Sequence, residues 1–315
     1  MKHVIPYLIM SVLLTYAPLL CAVEPPRVVT SSDETDAESP KEEPTASEKA
    51  VSSLQQLGAQ VNFDAQGFPV KIVLNGIRFN NTVMVNLKEI RTLRALHLHG
   101  TPMNHLGIVH LHGLEEMRSL ELSGHRVTNA GLEVISGMTE LIHLGMDRTG
   151  ITDEGLSHLS DLRKLESLSL GENEIGDDGL QVLSRLATLE RLWLNRTAVS
   201  DEGLKVVAGL KNLRWLGVSR TSITDAGVSR LAVLPKLESL YLFGCQGVSN
   251  DGVGKLAGMG QLRQLFIFDC KGINDDGLEL MVNSGLTEIW VKGTGVTPEG
   301  VLRVQQQMPD CKIIQ

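Results

Sequence analysis

The sequence predicts an α/β solenoid, with a parallel sheet on a concave face and short helices on a convex face. Three observations predict it. A nine-residue apolar register recurs along most of the chain, usually every 24 residues. A second constant block follows the copies at a fixed offset. The composition is 42% hydrophobic but only 4% aromatic, so the core must be aliphatic. A period of this length marks a unit that cannot bury its own apolar face and must stack on its neighbours.

Taken in order, the chain opens with MKHVIPYLIMSVLLTYAPLLCA, residues 1–22. A basic start, a short apolar run and small residues at the end make this a secretory signal. The run is short for a spanning helix, and Pro6 and Pro18 interrupt it, so no stable membrane insertion is expected after cleavage. An uncleaved anchor and a lipidated Cys21 are the alternatives; Leu20 fits poorly before a lipidated cysteine. Residues 23–49 are rich in Pro, Ser, Thr and acid, with too few large apolar groups to offset their ordering entropy. They are expected to form a disordered acidic linker. Residues 31–50 carry −5 of the formal charge of −8, and residues 51–315 carry −4. That balance provides no global basic field, so nucleic acid is not an expected partner.

Residues 50–68 are expected to cap the stack at its N-terminal end, residues 69–309 to hold the repeats and residues 310–315 to add a capping strand. The register reads L-x-x-L-x-L-x-x-T. It appears as LRALHLHGT from Leu93, LESLSLGEN from Leu165, LERLWLNRT from Leu189, LRWLGVSRT from Leu213 and LESLYLFGC from Leu237. Met117, Leu141, Leu262 and Leu286 open further copies, and Pro69–Ile77 is a weaker one. Side chains alternate along a strand, so columns four and six face the core and column five faces away. Column nine reads Thr101, His125, Thr149, Asn173, Thr197, Thr221, Cys245, Cys270 and Thr294. There small polar groups can bond the backbone freed where the chain leaves the sheet. The second block reads TDEGLSHL, SDEGLKVV or TPEGVLRV in different copies. Thr or Ser stands at the helix N-cap, acids in the first turn, and leucines at helical spacing.

These motifs closely resemble the leucine-rich repeat family over roughly residues 65–315. The LxLxxTxITDxGL wording is similar to the bacterial 24-residue subtype, and LFGCQGVSNDGV and IFDCKGINDDGL to the cysteine-containing subtype. AVSSLQQLGAQVNFDAQGFPVKIVLNG is similar to the lead-in of such bacterial proteins, a capping helix followed by a strand pair. The resemblance implies a horseshoe solenoid. Cysteine-containing repeats also occur in F-box ubiquitin-ligase adaptors, but here the repeats follow an acidic segment behind a signal, and no F-box precedes them.

The candidate site lies in column five and its neighbours. Trp193, Tyr241, Phe266 and Trp290 occupy column five, Trp215 column three, and Phe243 and Phe268 column seven. Columns one, four and six hold no aromatic residue. The rings should therefore form a strip about 20 Å long on the concave face, with strands ~4.8 Å apart. Trp193 is expected to be exposed to solvent. A patch of this kind marks an interaction site. Arg191, Arg196 and Arg220 flank it and suit guanidinium stacking or an anionic group. The alternatives are rings that only stiffen the sheet, and rings covered by a second copy.

The N-terminal half of the same face carries His97, His99, Glu121, His143 and Asp147. They are weak metal candidates, and polar surface residues are the ordinary reading; neither a metal nor a cofactor is expected. Cys245 and Cys270, in equivalent positions, are expected as free thiols filling column nine. GVSNDGVGKL lacks the first glycine and the final hydroxyl of a phosphate loop. Glu190, Arg214, Glu238 and Arg263 alternate in column two as an expected surface ion-pair ladder. Together these features lead to an exported, non-enzymatic recognition protein located in the periplasm, on the cell surface or outside the cell. Its expected partner is a protein or peptide, with a glycan as the alternative; an enzyme built on the histidine face would need a deep pocket.

Overall fold

Every copy of the register forms one short strand, and the strands pair in chain order. The computed structural model describes residues 43–76 and 79–315, and all elements below belong to the unit Pro44–Gln315. The expected signal and residues 23–42 of the expected linker lie outside the described residues. Twelve strands make one sheet, β1 to β12 in sequence order. They are β1 Gln60–Phe63, β2 Pro69–Asn75, β3 Ala95–His99, β4 Ser119–Glu121, β5 His143–Gly145 and β6 Ser167–Ser169. Then follow β7 Arg191–Trp193, β8 Trp215–Gly217, β9 Ser239–Tyr241, β10 Gln264–Phe266, β11 Glu288–Trp290 and β12 Lys312–Ile314. Strands β1 and β2 pair antiparallel; all later pairs are parallel.

The register keeps each column in line across the sheet: Leu168 faces Leu192, and Leu192 faces Leu216. Columns one, four and six are buried from end to end, and Leu192 and Leu194 are wholly inaccessible. Short helical segments run along the other side. Most are single α-turns or 3-10 turns, such as Asp153–Leu156 and Gly179–Arg185. A helical layer is wider than the ~4.8 Å strand spacing, which puts the sheet on the inner side of the stack.

Two polar ladders run along the repeats. In column nine, Thr197 and Thr221 close the turn of their own repeat, donating from Oγ1 to the column-six carbonyls of Leu194 and Val218 at 2.7 and 2.6 Å. His125 occupies the same column, with Nδ1 2.9 Å from the Leu122 carbonyl and Nε2 2.7 Å from Thr101 Oγ1. Asn173 serves two repeats at once. Its Oδ1 accepts from the amides of Thr149 and Gly150, and its Nδ2 donates to the carbonyls of Met146 and Leu170. Cys245 and Cys270 are free and reach back a full repeat, to the carbonyls of Val218 and Leu242.

The second ladder is built from the first-turn acids. Asp201 Oδ1 accepts from the Thr224 amide of the next repeat at 2.8 Å, and Oδ2 from the Thr224 hydroxyl at 2.6 Å. Asp225 does the same with Ser249, and Asp275 with Thr297. These bonds explain the glycine of the DxGL block. A Cβ on Gly227, Gly252 or Gly300 would collide with the carboxylate of the preceding repeat. One rung is missing, where His105 stands in the aspartate position. There Thr128 takes a left-handed φ of 58° and begins its helix without a side-chain cap.

The N-terminal capping helix runs over Ala46–Gln56 and buries Ala50, Val51 and Leu54. It starts four residues before position 50, so residues 46–49, expected in the linker, are helical. The cause is a capping box: the Glu48 amide donates to Thr45 Oγ1, and the Glu48 carboxylate accepts from the Thr45 amide. At the other end, Thr297 caps the helix Pro298–Gln307, with Pro298 in its first turn. Strand β12 then covers β11. Only one rung of the expected column-two ladder forms, Arg214 with Glu238. Arg263 instead donates to the carbonyls of Gly260 and Gly285.

Candidate functional site

Column eight imposes a backbone constraint on the rim of the sheet. It is left-handed in ten successive repeats, from Gly76 to Gly293. This conformation is costly for any residue with a Cβ. Gly76, Gly100, Gly124, Gly244 and Gly293 meet the demand without strain. Arg148, Glu172, Arg196, Arg220 and Asp269 occupy it with φ between 54° and 57°. Four of these charged residues are consecutive in the stack, beside strands β5 to β8.

The aromatic residues come together as the column geometry demands. Trp193 and Tyr241 lie with ring centroids 5.0 Å apart, although β8 stands between their strands. Gly217 makes this contact possible: the Trp193 ring lies over it, where a Cβ would clash with the indole. Tyr241 then stacks on Phe266 at 4.1 Å with the planes only 6° apart, and Phe266 on Trp290 at 5.9 Å. A parallel row in column seven stacks Phe243 on Phe268 at 4.3 Å, and Phe268 also meets Trp290.

Mutual stacking changes the expected exposure. Trp193, Tyr241 and Trp290 are half-buried rather than open, and Phe266 and Phe268 are only 4% and 8% exposed. The expected exposed strip is therefore a ridge of packed rings, with the inner two covered by their neighbours. Burial, followed by the charge of Glu288, pushes the Tyr241 phenol up to about 12, so its hydroxyl keeps its proton.

The arginines divide. The guanidinium of Arg191 lies 5.0 Å from the centre of the Trp215 ring, and that of Arg214 5.3 Å from it. Arg220 lies 4.5 Å over Phe243. Arg196 does not stack; it stands 3.8 Å from Glu172. Trp215 is thus held by two cations and sits apart from the ring ridge. Sequence reasoning missed Arg148, Glu172, the Arg214 stack and the Gly217 opening. The first was visible as a recurring Arg-Thr in DRT, NRT and SRT at columns eight and nine.

The histidine half is not assembled as a ligand set. Among the described residues, no group of three His, Cys, Asp or Glu side chains is placed to hold a metal ion. His97 Nε2 is 3.1 Å from Ser119 Oγ, and its ring centre is 6.4 Å from that of His99. Burial, then the charge of Lys71, pushes His97 down to about 4. Burial also lowers His143, with the Arg191 charge as the second cause. Glu121 folds over Gly145 and accepts from the Ser123 amide. Asp147 is half-buried and accepts from Ser169 Oγ at 2.5 Å and the Gly171 amide at 2.7 Å; desolvation pushes its carboxyl up to about 6.

Stacked strand–helix units, an aliphatic core shared between repeats and a sheet whose second face no helix of the described residues covers define a solenoid scaffold of the interaction type. A family model described as a leucine-rich repeat region matches residues 73–280, and the chain belongs to that family. Among solved structures, it is similar to an internalin (inlF) from Listeria monocytogenes str. 4b F2365. The TM-score is 0.51 at 17% identity, over 85% of this chain and 94% of that one. An internalin C2 (inlC2) from the same strain gives a TM-score of 0.43 at 20% identity, over 72% of this chain and 80% of that one. At these identities the likeness concerns the fold alone. No curated protein matches. No helix among the described residues is long and apolar enough to cross a membrane.

Proposed function

We propose that this chain is an exported, non-enzymatic recognition protein that binds a protein or peptide partner through the sheet face of its C-terminal half. The observation that carries this reading is the continuous ring ridge from Trp193 to Trp290, built on the side of the sheet that the core does not need. Polar residues at these positions would preserve the stack equally well, because columns one, four and six already supply the core. Export rests on the signal-like residues 1–22.

The stacking supports a peptide over a glycan. Sugars pack on open ring faces, whereas here the faces of Tyr241 and Phe266 cover each other. What remains is a ridge of ring edges with cationic flanks, which suits the backbone and side chains of a polypeptide.

The test is a pull-down from cell-envelope extract with the full chain and with a variant carrying Trp193→Ala, Tyr241→Ala and Trp290→Ala. Circular dichroism checks that the variant is folded. A protein retained by the parent and lost by the folded variant is the expected result. Equal retention by both baits would move recognition to another face and overturn the proposal.

A further inference from the structure

We infer that the partner segment is acidic, and that Arg148, Arg191, Arg196 and Arg220 read its carboxylates while the ring ridge holds its apolar side chains. This rests on the reading of the sheet face as a binding face.

Strained backbone carries the inference. Glycine satisfies column eight at no cost in half of the repeats, yet Arg148, Arg196 and Arg220 stand there at φ 54–56°. Arginine is not among the residues that settle readily in this region. Within the fold Arg196 faces Glu172 and Arg220 lies over Phe243; Arg148 stands in no ion pair among the described residues, and a side chain kept there against backbone strain, at the rim of a face and pointing to no core, calls for a use outside the fold. All three side chains are exposed.

Charge supports the same conclusion. On columns three, five, seven and eight from β5 to β9 there are four arginines and two carboxylates, in a chain whose formal charge is −8. Both carboxylates are engaged. Asp147 accepts from Ser169 and Gly171, and Glu172 faces Arg196 across 3.8 Å. No carboxylate of the described residues forms an ion pair with Arg148 or Arg191. Arg191 is pre-oriented by the Trp215 face, which leaves its planar fork of donors for a carboxylate. Arg148 and Arg220 are three repeats apart, roughly 15 Å, which an extended peptide spans in about four residues.

The experiment selects a random-sequence displayed peptide library on the full chain and measures the selected peptides by fluorescence anisotropy. The expected peptides are enriched in Asp and Glu beside apolar residues, and their binding weakens with salt. Arg148→Gly and Arg191→Ala should each weaken them about tenfold, the loss of one charge-assisted contact. Arg191→Lys should restore only part of the loss. Arg148→Gly should also raise the thermal midpoint, because glycine relieves the turn; a merely structural arginine would lower it.

Neutral or basic peptides that are lost with Trp193→Ala would overturn the acidic reading and leave the binding face standing. If no selected peptide depends on Trp193, both readings fall. Capture of sulfated or carboxylated glycans from an array, without peptides, would also overturn the inference. A further variant neutralises Asp33, Glu34, Asp36 and Glu38. It should bind the peptides no more tightly than the parent; tighter binding would make the chain's own acidic segment the occupant instead of a partner.

Discussion

The glycine of the DxGL block and the aspartate of the preceding repeat are one unit of chemistry, although Asp201 and Gly227 lie 26 residues apart. Asp201 accepts two bonds from Thr224 and fills the space beside Gly227. Gly227→Ala should therefore cost about 1–3 kcal/mol by overpacking, and Asp201→Ala a similar amount by leaving the Thr224 donors unmet. The double variant should cost clearly less than the sum, because deleting the carboxylate vacates the space the new methyl needs. Urea unfolding of the four proteins measures the coupling; strict additivity would refute it.

Two half-buried titrating groups on the sheet face act in opposite directions. Asp147 holds its proton up to about pH 6, whereas the unfolded chain releases it near 3.8. The folded state thus binds more protons in that window, and this group makes stability fall as pH rises through it. Asp147→Asn keeps an acceptor for Ser169 and Gly171, so it should gain on the parent between these values, on the order of 2 kcal/mol. His97 is the converse: it resists protonation down to about 4, against 6.5 when unfolded. Its contribution rises with pH over that range, so His97→Gln should gain on the parent as pH falls. Across pH 4 to 6, the difference in unfolding midpoint from the parent should change with opposite sign for the two variants.

At the scale of the element, the strands were legible because their signal repeats. Leucines in columns one, four and six recur at the same spacing, and any one strand of three residues would have been unreadable alone. The start of the capping helix is also written in the sequence, as Thr45 with Glu48 three residues on, yet the acidic composition around it obscures the cap. Burial of the rings was not legible. Column position tells which way Trp193 points, but not that it can lean across Gly217 to meet Tyr241, because that depends on a missing side chain one strand away. The column-two ladder failed for a related reason: alternation places charges side by side, but Arg263 finds carbonyls of its own and the next turn nearer. Gly217→Ala should push the indole off its bed, shift the tryptophan emission to the red and lower the unfolding midpoint. An unchanged emission maximum would mean that the ring does not use this opening.

For the whole described unit, the core has no internal boundary: buried side chains run continuously from Ala50 to Cys311. Nearly every contact that holds a repeat is with itself or the repeats beside it. Deleting residues 141–164, one complete 24-residue period, should therefore leave a folded chain with a lower midpoint, since strand, ladder and helix positions all stay in phase. Deleting only residues 141–152 should unfold it, because the leucine columns would then face the wrong layer. Circular dichroism and thermal melting separate the two outcomes.

Strand order that follows chain order has a mechanical meaning. A strand in this sheet can leave from an end without breaking any pairing except that with its one remaining neighbour. Pulled by its two termini, such a chain should not yield in one event. It should pay out turn by turn from an uncovered edge, each step releasing roughly 80 Å of contour for 24 residues. Steps of that length in a single-molecule force trace would count the repeats. The turn spanning His105 and Thr128, where the aspartate rung is missing, should yield at lower load than its neighbours.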